Sequence, residues 1–74
     1  MKIKHEAFIR DILSLDQDTI ISRNQDMDEF NWDSLAMVIL QTVIDENYNI
    51  QIDPDSLPVF KTIGSLDDYI NSFK

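Results

Sequence analysis

Apolar side chains recur at intervals of three and four residues in three separate stretches of this chain, and that spacing restricts it to packed helices. The first stretch places Ile3, Ala7, Phe8, Ile12 and Leu15 on one face, widened by Ile9 and Leu13, with Lys4, Glu6, Arg10, Asp11 and Ser14 around the rest. It predicts an amphipathic helix over residues 2–15. The second runs from Asp33 to Tyr48, with Asp33 or Ser34 able to cap the first amides. Val38, Ile39, Leu40, Val43, Ile44 and Tyr48 are its apolar positions, and Gln41, Asp45, Glu46 and Asn47 form its polar side. The third repeats Ile63, Leu66, Tyr69, Ile70 and Phe73, starts at a cap supplied by Thr62 or Ser65, and reaches about Phe73. Asp53-Pro54 opens a short extra helix, with Asp53 as cap and Pro54 at the first helical position, and Pro58 limits its length. Ile50-Gln51-Ile52 alternates like a strand but is too short to carry a sheet.

Residues 16–33 break the helical pattern. Asp16, Asp18, Ser22, Asn24, Asp26 and Asp28 favour turns, while Ile20, Ile21, Met27 and Phe30 are spaced as anchors that pin a loop to a core. The expected architecture is therefore all-α: a small bundle of three main helices plus one short helix, with a long loop after the first helix. There is no internal repeat or interdomain linker, and residues 1–74 read as a single domain.

The chain has no cysteine, so its stability has to come from packing rather than from disulfides, and it has no thiolate of its own. The apolar fraction of 43% is enough for a core. Fourteen acidic residues against six basic ones give a formal net charge of -8. Such a surface opposes binding to nucleic acid, which requires a basic face, and to anionic membranes, while attracting basic protein partners. Met1-Lys2-Ile3-Lys4-His5 is too polar to start a signal peptide, and the apolar run at residues 35–40 is far shorter than the roughly 20 residues of a membrane helix. A cytoplasmic location is expected.

Few residues are equipped for catalysis. The only histidine is His5, and a hydrolase pair of Ser34 with His5 has no supporting turn motif. The single glycine, Gly64, rules out a glycine-rich phosphate loop. Asp26, Asp28 and Glu29 do not have the spacing of a calcium loop, and no metal site is expected. Asp67 and Asp68 read as negative charge complementing the start of the last helix.

Asp33-Ser34-Leu35 stands apart because of its setting. A long loop ends at this serine and the most apolar helix begins there. On the three letters alone, capping is the simplest role. A serine at a helix N-terminus also has free amides and the positive end of the dipole beside it, which suits a phosphate ester. At these residues the chain resembles the acyl carrier proteins, whose mark is Gly-x-Asp-Ser-Leu at the start of the second helix; the corresponding stretch is Asn31-Trp32-Asp33-Ser34-Leu35. The resemblance extends along the chain through Val38, Leu40, Ile44, Asp45-Glu46, Tyr48 and Ile52 to Thr62-Ile63 and Asp68-Tyr69-Ile70.

The resemblance implies a freestanding carrier with 4′-phosphopantetheine attached covalently to Ser34, flanked by Asp33 and Leu35. It implies a monomer that is a substrate and shuttle rather than an enzyme. Its partners would be a phosphopantetheinyl transferase and acyl-loading, acyl-modifying and acyltransferase enzymes, with Trp32, Leu35, Ala36, Met37 and Ile39 forming the surface they read. Asn31 replaces the usual glycine and tolerates a left-handed backbone. Trp32 is large for its position; it either covers the arm, meets a partner or packs under the loop. Ala36 and Ile39 stand where carriers of fatty-acid synthesis commonly have acidic residues, which points to a specialised biosynthetic pathway instead. An aminoacyl or peptidyl carrier would use the same serine, and an unmodified helical interaction module would use it only as a cap.

Overall fold

The computed structural model describes residues 2–30 and 32–73; the reading of Asn31 lies outside them. Three α-helices form the bundle: α1 (Glu6–Ile12), α2 (Ser34–Tyr48) and α3 (Ile63–Asn71). Short 3-10 turns lie at Met27–Glu29, inside the long loop, and at Pro54–Ser56, where the extra helix is expected. Among the described residues there is no strand. Ile50–Ile52 finds no partner, and an isolated antiparallel bridge links Asp26 to Thr62 instead.

The boundaries follow from local chemistry at each end. Helix α2 starts where the Asp33 carboxylate accepts from the Ala36 amide, and it stops at Asn49, whose left-handed backbone (φ 56°) breaks the repeat. Helix α3 starts where Thr62 Oγ1 accepts from the Ser65 amide at 3.2 Å. Asp53 caps the Pro54–Ser56 turn by accepting from the Asp55 amide.

Helix α1 is shorter than the spacing predicts, for two reasons. At its front, the Lys4 and His5 amides donate to the Asp67 carboxylate at 2.9 and 2.8 Å, which holds these residues out of the helix. At its back, Ser14 is left-handed (φ 55°), the Ser14 amide donates to Asp11 O and the Leu15 amide donates to Arg10 O. That pair of bonds is a Schellman ending. The helix also sits rotated from the expected stripe: Ile9 and Ile12 are fully buried while Ala7 is exposed.

The core is built from Ile9 and Ile12 of α1, Ala36, Leu40 and Ile44 of α2, and Ile63, Leu66 and Ile70 of α3. Helix α1 packs against both α2 and α3. Met27 and Phe60 close the core from the connections. Of the expected loop anchors, Met27 is buried, Ile21 and Phe30 are partly buried, and Ile20 points into solvent.

The long loop is tied to the start of α3 by main-chain bonds. The Met27 amide donates to Lys61 O, Ile63 to Gln25 O and Gly64 to Arg23 O, all within 3.0 Å. Gly64 eases this approach, since a Cβ there would lie 3.0 Å from Arg23 O and 3.2 Å from Arg23 Cζ, closer than most such contacts. Arg23 then reaches along α3, donating from Nη1 to Asp67 and from Nη2 to Asp68. Asp67 is thus no surface complement to the helix dipole: it is 0% exposed and binds Lys4, His5 and Arg23 at once. Its burial is tolerable because the charge is paired and hydrogen-bonded. Asp68 is exposed and pairs with the same arginine.

A candidate phosphopantetheine attachment site at the start of α2

The long loop delivers the chain to α2 in an extended conformation at Asp33 (φ -129°, ψ -171°). Asp33 Oδ1 accepts from the Ala36 amide at 3.0 Å, and Asp33 O accepts from the Met37 amide at 3.1 Å. The aspartate therefore fixes where the helix begins. Ser34 is the first helical residue and is exposed. Its amide and that of Leu35 precede the first intrahelical bond, so both project outward at the positive end of a 15-residue helix. A phosphate ester on Ser34 Oγ would find these donors beside it.

The next turns divide into inward and outward positions. Leu35 and Val38 are 65% and 55% exposed. Ala36 is only 4% exposed and belongs to the core with Leu40 and Ile44, so the expectation that Ala36 meets partners is corrected. It lies four and eight positions ahead of those two residues, the inward spacing of this helix. Ile39 is half-buried against the core, and Met37 is half-buried. Val38 takes the surface position that sequence reasoning gave to Ala36; its spacing three residues from Leu35 is the signal that marks it. Thr42 continues this face, and its hydroxyl turns back to donate to Val38 O at 3.0 Å.

Two depressions flank the helix start, and Asp33 borders both. The larger, about 580 Å³, lies between the Met27–Glu29 turn, the start of α2 and residues 57–60. Trp32, Met37, Val59 and Phe60 form much of it. Trp32 is partly buried and meets Phe60 edge-on at 5.5 Å, an arrangement that sequence alone left open. Val59 stands 90% exposed at residues 57–60, and neither it nor Phe60 was singled out by spacing. The smaller depression, about 270 Å³, lies between Leu13, Leu35 and Ile39.

Phe60 continues into a series of contacting rings. It meets Tyr69 at 5.2 Å, Tyr69 meets Phe73 at 5.0 Å, Phe73 meets Tyr48 at 6.3 Å, and Tyr48 meets Phe8 at 6.4 Å. Burial pushes the Tyr69 hydroxyl above its ordinary pKa.

The structure does not assemble a hydrolase pair. His5 Nε2 lies 3.3 Å from Asn71 Oδ1, and the ring stacks on Phe8. Among the described residues no group of three or more His, Cys, Asp or Glu side chains is arranged to hold a metal ion. Glu29 instead accepts from the Asp26 amide, closing the 3-10 turn. No helix among them is long and apolar enough to cross a membrane.

This arrangement, a helical bundle with an exposed serine opening its longest helix, agrees with the comparison against protein families. The family described as phosphopantetheine attachment site matches residues 6–70, and the chain belongs to that family. No curated protein and no solved structure gives a significant match. The prosthetic group of the family is a covalently attached 4′-phosphopantetheine. The residues present at the start of α2 fit such a group: an accessible hydroxyl, two outward amides, and open space on either side.

Proposed function

We propose that this protein is a carrier that holds acyl intermediates as thioesters on a 4′-phosphopantetheine arm attached to Ser34 and passes them between the enzymes of a specialised biosynthetic pathway. The observation that carries the reading is the exposed Ser34 at the first position of α2, within the segment that matches the family. Three of the other five serines have their hydroxyls engaged. The Ser22 hydroxyl donates to Asn24, that of Ser65 pairs with Thr62, and that of Ser72 donates to Tyr69 O.

The arm supplies the thiol that a cysteine-free chain lacks. The chain's own residues do the rest. Asp33 holds the helix start in place, Ser34 presents its oxygen to solvent, and the outward amides of Ser34 and Leu35 favour the phosphate. Tethering raises the effective concentration of cargo at each enzyme visited. The protein acts as substrate and shuttle, without catalysis of its own.

Partners would include a phosphopantetheinyl transferase and enzymes that load, modify and transfer the acyl group. They would read Leu35 and Val38, with Trp32, Met37 and Ile39 at the margins. From Ser34 to Ile44 helix α2 carries no charged side chain. Docking there depends on apolar burial, while the net charge of -8 steers basic partners from a distance. The same uncharged face supports a specialised pathway over a housekeeping one.

Intact-protein mass spectrometry after incubation with coenzyme A and a broad-specificity transferase tests attachment. The chain is expected to gain one phosphopantetheinyl unit, and Ser34→Ala to gain none while remaining helical by circular dichroism. Full modification of Ser34→Ala would sink the assignment. An aminoacyl or peptidyl cargo would use the same serine, and identifying the thioester-linked group on protein recovered from its host separates it from an acyl one.

A further inference from the structure

We infer that the group carried by this protein is compact and uncharged, an aromatic acyl unit resting in the open cleft against Trp32, and that the aromatic wall behind it keeps long linear chains out of the bundle. The inference rests on attachment at Ser34 as proposed above. The cleft is within reach of the site, since Trp32 and Asp33, the two residues before the serine, both line it.

Its floor decides what fits. Trp32 and Phe60 are perpendicular, with an interplanar angle of 89° at 5.5 Å, and Phe60 meets Tyr69 at 67° and 5.2 Å. A chain passing from the cleft to the interior would have to separate rings already in contact. The core bordered by these rings offers no exposed surface at Leu66 or Ile70. A linear chain longer than the cleft therefore ends in solvent.

A flat ring gains from the same floor, because aromatic groups favour edge-to-face and offset contacts. Met37 lines the cleft with a flexible thioether that adapts to shape and contacts rings favourably, over the buried Met27. Val59 leaves its side chain 90% exposed there, so an apolar occupant would cover it. Asp28 and Asp33 place carboxylates at the cleft, which disfavours a cargo with its own negative charge.

The test loads the protein with a transferase from acetyl-, benzoyl-, octanoyl- and tetradecanoyl-coenzyme A. Intact mass confirms each product, after which emission from Trp32, the sole tryptophan, and the melting temperature are recorded. Benzoyl cargo is expected to shift the emission and raise the melting temperature relative to acetyl. Octanoyl and tetradecanoyl forms are expected to melt together. A melting temperature that climbs from octanoyl to tetradecanoyl would overturn the inference, as would identical Trp32 emission for acetyl and benzoyl. Trp32→Ala should make tetradecanoyl melt above octanoyl, and a folded variant without that difference also overturns the role given to the wall. The wild-type series decides the question even if Trp32→Ala does not fold. Absence of any mass gain in the loading step would remove the attachment reading and this inference with it, whereas failure of the inference alone appears in loaded protein.

Discussion

Asp33 and Ser34 are neighbours at one helix end, yet they serve different purposes. Asp33 spends one carboxylate oxygen on the Ala36 amide, and Ser34 stays exposed one position further on. A few residues later the direction of each side chain sets the consequence of changing it. Ala36→Asp would put a carboxylate into a core position and should cost about 3 kcal/mol or more. Val38→Glu changes an exposed position and should leave stability within about 0.5 kcal/mol. It should nevertheless raise the transferase KM if the apolar face is read by partners. Thermal melts and transferase kinetics on the two single variants check both expectations. If Val38→Glu melts far below the wild type, Val38 supports the fold and cannot serve as a freely presented contact.

Among the elements, α2 and α3 could be read from the sequence, and α1 only in part. Helices α2 and α3 carry their own start signals, Asp33 and Thr62, and their repeats are long enough to define a face. Helix α1 loses its first residues to a carboxylate far along the chain and its last to a turn at Ser14. Local periodicity contains neither event. The placement of Ala36 was legible, because Ala36, Leu40 and Ile44 repeat every fourth residue; family resemblance pointed outward instead. Trp32 and Phe60 meet across a long separation, so the cleft wall required the fold. The Ser14 turn also yields a prediction. A left-handed conformation costs a residue with a Cβ about 1–2 kcal/mol, while glycine in its place adds about 0.5–1 kcal/mol of unfolded-state entropy. Ser14→Gly should therefore stabilise the protein and raise its melting temperature by a few degrees. A lower melting temperature would mean that the Ser14 side chain contributes more than its backbone strain removes.

For the whole molecule, charge and size act together. The Cα envelope is 29 × 23 × 19 Å. At 0.01 M salt the screening length is about 30 Å, so the excess negative charges act across the entire protein, and at 0.15 M it falls to about 8 Å. Raising salt over that range should increase the melting temperature, without a dedicated cation site. A flat response would show that self-repulsion contributes little. Asp67 acts at the same scale, because it ties the N-terminal segment, the long loop and α3 together. Asp67→Asn keeps the shape but loses the charge that Arg23 faces; because Arg23 is partly exposed and keeps Asp68, a moderate loss of stability is expected. Chemical denaturation should show that loss, with little change if the two backbone amides alone hold the side chain.

The bonds from Asp67 to Lys4 and His5 span 63 and 62 positions. During synthesis the amides of Lys4 and His5 therefore find their acceptor only once residue 67 has been made. Closing so wide a loop is an entropic cost that local helices cannot offset early. The segment around Ser34 is made well before that closure can form. The distance between residue 5 and residue 67 thus sets the order in which the parts of the fold can close.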